Sequence, residues 1–127
     1  MNALQAMKIK ISALDKKFSQ YIRSRDGWTC QRCWKKYTPP TAGLHCSHFW
    51  GRANKSVRFD SDNCIALCFG CHQLFTANPS EHFQWYYKKL GEKKFISLEI
   101  RKHKADRPDY KMVNIWLTEK LKKINSN

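Results

Sequence analysis

The fold of this chain is decided by residues 28–72, WTCQRCWKKYTPPTAGLHCSHFWGRANKSVRFDSDNCIALCFGCH. This stretch contains two Cys-x-x-Cys pairs, Cys30/Cys33 and Cys68/Cys71, with 34 residues between them. Two such pairs can supply the four thiolates of a closed tetrahedral zinc site, which keeps no coordination position open for chemistry. The interval is longer than a compact zinc ribbon requires, so a hairpin has room to form between the pairs. The stretch therefore predicts a small α+β core with a structural zinc.

The charge balance points to a polyanionic partner. The 127 residues include 24 Lys and Arg against 10 Asp and Glu, a formal net charge of +14, and nucleic acid is the first candidate for such a chain. No run of about 18 apolar residues and no signal-peptide core is present, so we expect a cytoplasmic protein with no membrane partner. Cysteines there stay reduced, which favours metal ligation over disulfides. Cys46 and Cys64 lack a Cys-x-x-Cys partner and are predicted to be buried free thiols.

The length predicts a single domain, residues 1–127, with three parts. Apolar residues at helical spacing predict an amphipathic helix over residues 10–25, and the following Asp and Gly end an N-terminal part at residue 27. The zinc-stabilised core then spans residues 28–78, and a helical extension spans residues 79–127. A chain of this size buries a limited core, so a structural metal would contribute much of the folding free energy.

Within the core, the pattern predicts a hairpin followed by a short helix. Leu44–Trp50 and Ser56–Phe59 are short, are flanked by turn residues and are the predicted strands. Their connection, Gly51–Lys55, is basic and flexible. The second cysteine pair is then expected to lead into a short helix that ends before Asn78.

Three further helices are predicted after residue 78, over residues 79–90, 92–104 and 109–124. Asn78 is the expected N-cap of the first, with Glu81 completing a capping box, and Gly91 is its expected stop. His82 and His103 are expected on the surface of these helices. The apolar face of the last helix is predicted to contain Tyr110, Val113, Leu117, Leu121 and Ile124.

The order His48, Asn63, Cys68-x-x-Cys71-His72 resembles the HNH, or ββα-metal, nuclease pattern in its four-cysteine zinc form. This resemblance covers roughly residues 18–72 and implies a treble-clef core. More narrowly, the segments Ser47–Phe49, Val57–Asp60 and Asp62–Cys64, together with Arg52, are similar to the phage recombination nuclease family NinG, also called Rap. The resemblance implies a metal-dependent DNA endonuclease that hydrolyses phosphodiester bonds in recombination intermediates or branched DNA.

The same resemblance implies a role for each matching residue. His48 matches the general base, for which an imidazole that titrates near neutrality is suited. His72 matches a ligand of a catalytic Mg²⁺ or Mn²⁺ ion that would bind the scissile phosphate. Asn63 matches the central Asn, whose amide holds the adjoining loop and so orients the base. The expected phosphate contacts are the basic side chains Arg52, Lys55 and Arg58.

One position departs from the HNH pattern. Many HNH nucleases have Asp or His directly before the base as a second metal ligand, but here that residue is Ser47. His45, Asp60, Asp62 or water could complete the shell instead. His45 is favoured because strand alternation places it on the same face as Ser47, although a partly buried structural histidine is an equal alternative.

Two other functions stay open at this point. One is a non-catalytic, zinc-dependent nucleic-acid-binding protein, and the other is a sequence-reading restriction- or homing-type HNH nuclease. A binding protein needs neither His48 nor His72, so this pair favours the enzyme. Trp28, Trp34 and Trp50 could stack on bases in single-stranded DNA or pack around the zinc core. The sequence does not decide the DNA structure preferred, nor whether the chain forms a homodimer.

Overall fold

The computed structural model describes residues 10–104 and 106–125 and has an α+β architecture. Two strands form one antiparallel sheet, and five α-helices lie before and after it within the described ranges. Two 3₁₀ turns, Lys55–Val57 and Ser61–Asn63, lie between the strands. The elements in chain order are α1 (Ile11–Arg25), β1 (Leu44–His48), β2 (Cys64–Cys68), α2 (Phe69–Ala77), α3 (Pro79–Leu90), α4 (Glu92–His103) and α5 (Tyr110–Asn125).

The second strand is not the one that the sequence predicted. β1 pairs with Cys64–Cys68, and the predicted strand Ser56–Phe59 instead begins within a 3₁₀ turn. Val57 and Phe59 alternate as strand residues do, but they are buried in two different hydrophobic clusters. All five residues of β2 are buried, so this strand shows no alternation by which a sequence pattern could identify it.

Helix α1 was predicted correctly and covers one face of the sheet. Leu14, Phe18 and Ile22 are its buried residues, and they share a cluster with Cys64 of β2 and Leu117 of α5. Lys17 Nζ also donates to Asn114 Oδ1 of α5 at 2.7 Å. The apolar face of α5 therefore packs against α1 within the same chain. Among the described residues, no helix has the length and apolar composition of a membrane span.

The first helix of the C-terminal extension, α3, begins and ends where the sequence predicted, but it lacks the predicted capping box. Gly91 follows α3 with a φ of 91°, a left-handed conformation that favours glycine. The Asn78 side chain makes no cap to α3, and its Nδ2 donates to the Leu74 carbonyl of α2 at 2.8 Å instead. His82 was expected at the surface, but its ring stacks on Phe75 with centroids 4.6 Å apart.

Candidate functional site

The four paired cysteines converge on one point. The Sγ atoms of Cys30, Cys33, Cys68 and Cys71 all lie within 4.8 Å of one another, and Cys33 Sγ is 3.7 Å from Cys68 Sγ. Four sulfurs at about 2.3 Å from a tetrahedral zinc are about 3.8 Å apart. The donor set and its spacing therefore suit a structural zinc, as the sequence predicted.

Backbone hydrogen bonds shape the first cysteine pair and join it to the sheet. Cys30 N–H donates to the Lys35 carbonyl at 2.9 Å, and Trp34 N–H donates to the Cys30 carbonyl at 2.8 Å. Gln31 N–H donates to the Ala66 carbonyl of β2 at 2.9 Å, which fixes the turn against the strand. Burial raises the pKa of the Cys30 thiol, but backbone hydrogen bonds outweigh it and lower that pKa to about 7. The turn thus favours the thiolate, which is the metal-binding form.

The second cysteine pair joins β2 to α2. Cys68 ends the strand and is the N-cap of α2, where its Sγ accepts from Cys71 N–H at 3.4 Å. Arg32 reaches across from the first pair, and its Nη1 lies 3.4 Å from Cys71 Sγ. Four thiolates around one divalent ion carry a net charge of −2, so this guanidinium offsets part of the excess negative charge.

His72, which directly follows the second cysteine pair, lines a separate cleft of about 600 Å³ between α1, β1 and α2. His45 and His48 line this cleft from β1, His72 from α2 and Arg52 from the loop after β1. The structure therefore brings four of the residues singled out from the sequence to one cavity. The other cleft residues are Asp15, Ser19, Arg23, Thr41, Ala42, Leu44, Cys46 and Gly51.

His45 and His72 form a close pair within the cleft. Their Nδ1 atoms are 3.0 Å apart, and His45 Nε2 lies 3.2 Å from the Ala42 carbonyl. A carbonyl only accepts, so this contact places the His45 proton on Nε2 and leaves its Nδ1 lone pair directed at His72. Two ligands at right angles and about 2.1 Å from one ion are about 3.0 Å apart. The pair can therefore share a proton or hold a cation.

His48 is oriented by the backbone of the loop that follows it. Its Nε2 lies 2.9 Å from the Arg58 carbonyl, so Nε2 carries the proton and Nδ1 has the free lone pair. Burial, together with the positive charge of Arg52, lowers the pKa of His48. The imidazole is thus held neutral and in one tautomer at neutral pH, which is the form that a general base requires.

Asn63 holds the loop that carries the Arg58 carbonyl. Its side chain is fully buried, and its Oδ1 accepts from Trp50 N–H at 2.8 Å. Its Nδ2 donates to the carbonyls of Trp50 at 2.9 Å and Val57 at 3.0 Å. One amide thereby connects the residues just after β1 with those just before β2. That this contact orients the base, as the family resemblance implies, stays a prediction.

The predicted phosphate contacts differ in their availability. Arg58 forms a two-point ion pair with Asp15, at 3.0 Å from Nε and 2.5 Å from Nη2, and its side chain is only 16% exposed. The Arg52 side chain is 62% exposed and lies 3.7 Å from the same carboxylate. Lys55 is exposed in a surface turn outside the cleft lining. Arg52 is therefore the best placed of the three to meet a ligand in the cleft.

Asp15 is the main cleft residue that the sequence reading missed. It lies on α1, four residues before Ser19 and eight before Arg23, so the three form one polar stripe along the helix. Its charge fixes Arg58, whose carbonyl contacts His48. The stripe was visible in the sequence, but the fact that it faces β1 was not.

Ser47, Asp60 and Asp62 are not among the residues that line this cleft. Ser47 is 1% exposed, and its Oγ has no hydrogen-bond partner among the described residues. Asp60 and Asp62 do not line the cleft, because both form ion pairs with Arg101 of α4, at 2.6 Å and 3.2 Å. Of the alternatives weighed from the sequence, His45 is the protein side chain adjacent to His72.

Of the three tryptophans considered above for base stacking, two are partly buried and one is exposed. Trp28 and Trp50 are partly buried and pack against the hydrophobic cluster that includes Cys30, Cys68 and Cys71. Trp34 is 62% exposed, with Lys89 Nζ 4.7 Å from its ring centre. Packing is therefore the main role of the first two, and Trp34 has a face available to a partner.

Comparison with known protein families agrees with the resemblance to the NinG family. The family described as "Bacteriophage Lambda NinG protein" matches residues 1–127, the full length of the chain. No curated protein and no solved structure matches it.

Proposed function

Because the chain belongs to the bacteriophage lambda NinG family, a phage family related to recombination, we propose that it is an HNH-type, metal-dependent endonuclease. The proposed substrate is DNA in recombination intermediates or other branched forms. The observation that carries the proposal is the geometry of His48: its Nε2–H is bonded to the Arg58 carbonyl, which leaves Nδ1 free, and the residue lines a cleft that also contains the His45–His72 pair. A protein that only binds nucleic acid has no need of this arrangement.

In the proposed reaction, His48 Nδ1 takes a proton from the water that attacks the scissile phosphorus. The imidazole becomes an imidazolium, and the Arg58 carbonyl, which accepts the Nε2 proton, stabilises the positive charge as it forms. The same hydrogen bond prevents the ring from turning away from the cleft. Asn63 and Asp15 support this geometry, because one holds the loop and the other holds the Arg58 guanidinium.

His45 and His72 would hold the catalytic ion through their Nδ1 atoms. A divalent ion there would offset the negative charge on the phosphate and on the departing 3′ oxygen. Two imidazoles suit first-row transition ions better than Mg²⁺, so we expect Mn²⁺ to support more activity than Mg²⁺. Arg52, exposed at the rim, would bind a phosphate oxygen of the incoming strand.

The net charge of the chain supports a DNA substrate. A formal charge of +14 favours a polyanion over a neutral substrate. The cleft is open to solvent at Arg52, so an extended strand can approach it. These features suit duplex and branched DNA alike, and branched DNA is proposed because the family is related to recombination.

The test is cleavage of a panel of linear, supercoiled and four-way-junction DNAs with Mn²⁺ or Mg²⁺. Wild type should cleave with either ion, faster with Mn²⁺, and most efficiently on the junction. His45→Ala and His72→Ala should each require a higher concentration of Mn²⁺. The exposed His103 lies outside the cleft, so His103→Ala is the matched control. Absence of cleavage on every substrate, or metal-independent cleavage, would refute the proposal.

A further inference from the structure

The two unpaired cysteines and His48 form a second cluster of metal-binding side chains. The ligand atoms of Cys46, His48 and Cys64 all lie within 4.8 Å of one another. Cys46 and His48 are two residues apart on β1 and so share one face, and Cys64 is the residue opposite His48 on β2. The sheet register therefore assembles a third potential donor from a residue 16 positions further along the chain.

We propose that Cys46, Cys64 and His48 form a second metal site, selective for a thiophilic divalent ion such as Zn²⁺, and that occupancy of this site inhibits the nuclease. The binding part of the proposal is independent of the proposed function. The inhibitory part rests on it, because inhibition arises from the loss of His48 as general base.

The donor chemistry favours a soft ion. Two thiolates and one imidazole are a donor set that zinc uses with water in the fourth position, whereas hard cations such as Mg²⁺ prefer oxygen ligands. Two thiolates also neutralise the charge of a divalent ion, which permits its burial. The two thiols would release their protons to solvent when the ion binds.

The surroundings suit a site that is reached from the cleft. Cys46 and His48 both line the cleft, whereas Cys64 is 1% exposed behind them. The ring centroid of Phe18 in α1 lies 6.0 Å from that of His48, and Phe18 packs in the same hydrophobic cluster as Cys64. An ion would therefore enter from the cleft, and water or a phosphate oxygen there would complete its shell.

Metal binding and base catalysis require the same atom of His48. Its Nε2 is committed to the Arg58 carbonyl, so Nδ1 is the atom available to a metal. That lone pair is the one that would accept the proton from water. An ion bound to Cys46, Cys64 and His48 thus competes directly with catalysis, whereas an ion held by His45 and His72 assists it.

The first test counts thiolate-bound metal ions by the charge-transfer absorption of Co²⁺, added to zinc-depleted protein. In wild type, the absorption should rise through a first equivalent at the four-cysteine site and continue to a second. Cys46→Ala and Cys64→Ala should bind the second equivalent more than about 100-fold more weakly, because even substitutions outside the ligand shell cost 10- to 100-fold. His45→Ala, a control in the same cleft, should retain it.

Circular dichroism and binding of the first equivalent report whether each variant is folded. Because Cys46 is partly exposed, Cys46→Ala is expected to fold. If Cys64→Ala does not fold, Cys46→Ala alone decides the test. Saturation of wild type at one equivalent would overturn the proposal. Equal second equivalents in wild type and Cys46→Ala would also overturn it.

The second test measures Mn²⁺-dependent DNA cleavage with and without one added equivalent of Zn²⁺, as a ratio for each protein. Wild type should be inhibited more than about tenfold, and Cys46→Ala should be inhibited by less than about twofold. Equal inhibition of both would overturn the inhibitory role. Absence of cleavage by wild type under all conditions would refute the proposed function and with it the inhibitory role, while the Co²⁺ titration would still decide the metal site.

Discussion

Asn63 offers a quantitative test of how the cleft is held together. Its side chain is fully buried and makes three hydrogen bonds to the backbone of residues 50 and 57. Asn63→Ala removes all three without placing a larger group in the core. The backbone groups that it leaves behind must either stay unpaired or open the loop to water.

The burial of each hydrogen bond determines how much stability its loss costs. The bond to the Val57 carbonyl is buried, and losing the partner of a buried group costs about 2 kcal/mol. The two bonds to Trp50 are partly buried, so water can replace part of each, and about 1 kcal/mol apiece is appropriate. Asn63→Ala should therefore lower the free energy of unfolding by about 4 kcal/mol, close to a thousandfold in the folding equilibrium.

The assay is urea denaturation of the zinc-saturated protein, monitored by tryptophan fluorescence. Ser47→Ala is the matched control, because Ser47 is equally buried on the neighbouring strand but its Oγ has no partner among the described residues. We expect this control not to lower the unfolding free energy, because removing an unpaired buried hydroxyl relieves its desolvation cost. A loss below about 1 kcal/mol for Asn63→Ala, or equal losses for the two variants, would refute this account of the loop.

Three further predictions follow from the geometry. Burial lowers the pKa of His48. In a pH profile of the cleavage rate, the midpoint of the acid limb should therefore lie below the ordinary histidine value of about 6.5. A limb at or above that value would contradict this. The stability that neutral His48 contributes to the folded protein should be fully present above about pH 6.5. It should be lost as the pH falls through the pKa that His48 has in the folded state, and urea midpoints measured across pH test this. Cys68→Ala should unfold the chain and abolish tight zinc binding, because Cys68 is both a cluster thiolate and the N-cap of α2; a folded, zinc-bound variant would contradict this. Arg52→Ala should reduce the salt dependence of DNA binding by about one unit of slope and leave stability unchanged, whereas Arg58→Ala should lower the urea midpoint, because it leaves Asp15 without its closest cation. Equal behaviour of the two would refute the distinction.

The four-cysteine cluster and the helices were predictable because their signals are local. Paired cysteines at fixed spacing, apolar residues at helical intervals and a glycine after α3 each determine structure within a few residues. The buried strand Cys64–Cys68 was not predictable in this way. Its side chains are covered on both faces, so they lack alternation, while Val57 and Phe59 imitate a strand from a turn.

The sequence singled out the histidines of the candidate cleft but did not show which groups they contact. The motif pattern identified His48 and His72, and strand alternation favoured His45. The contact of His48 with the Arg58 carbonyl and that of Arg58 with Asp15 depend on how the loop folds back onto α1. The same error in β2 concealed the proximity of Cys64 to His48, because a strand at Ser56–Phe59 would have given a different register.

Replacing His48 tests the proposal that this residue is the general base of a metal-dependent DNA endonuclease. Cleavage of four-way-junction DNA with Mn²⁺ is measured for wild type, His48→Ala and the surface control His103→Ala, with DNA affinity and zinc content measured on the same samples. A lost general base typically costs 10²- to 10⁴-fold. We predict that His48→Ala loses at least about 100-fold in rate with affinity and zinc unchanged, while His103→Ala retains full activity. Equal rates for His48→Ala and wild type would contradict the account.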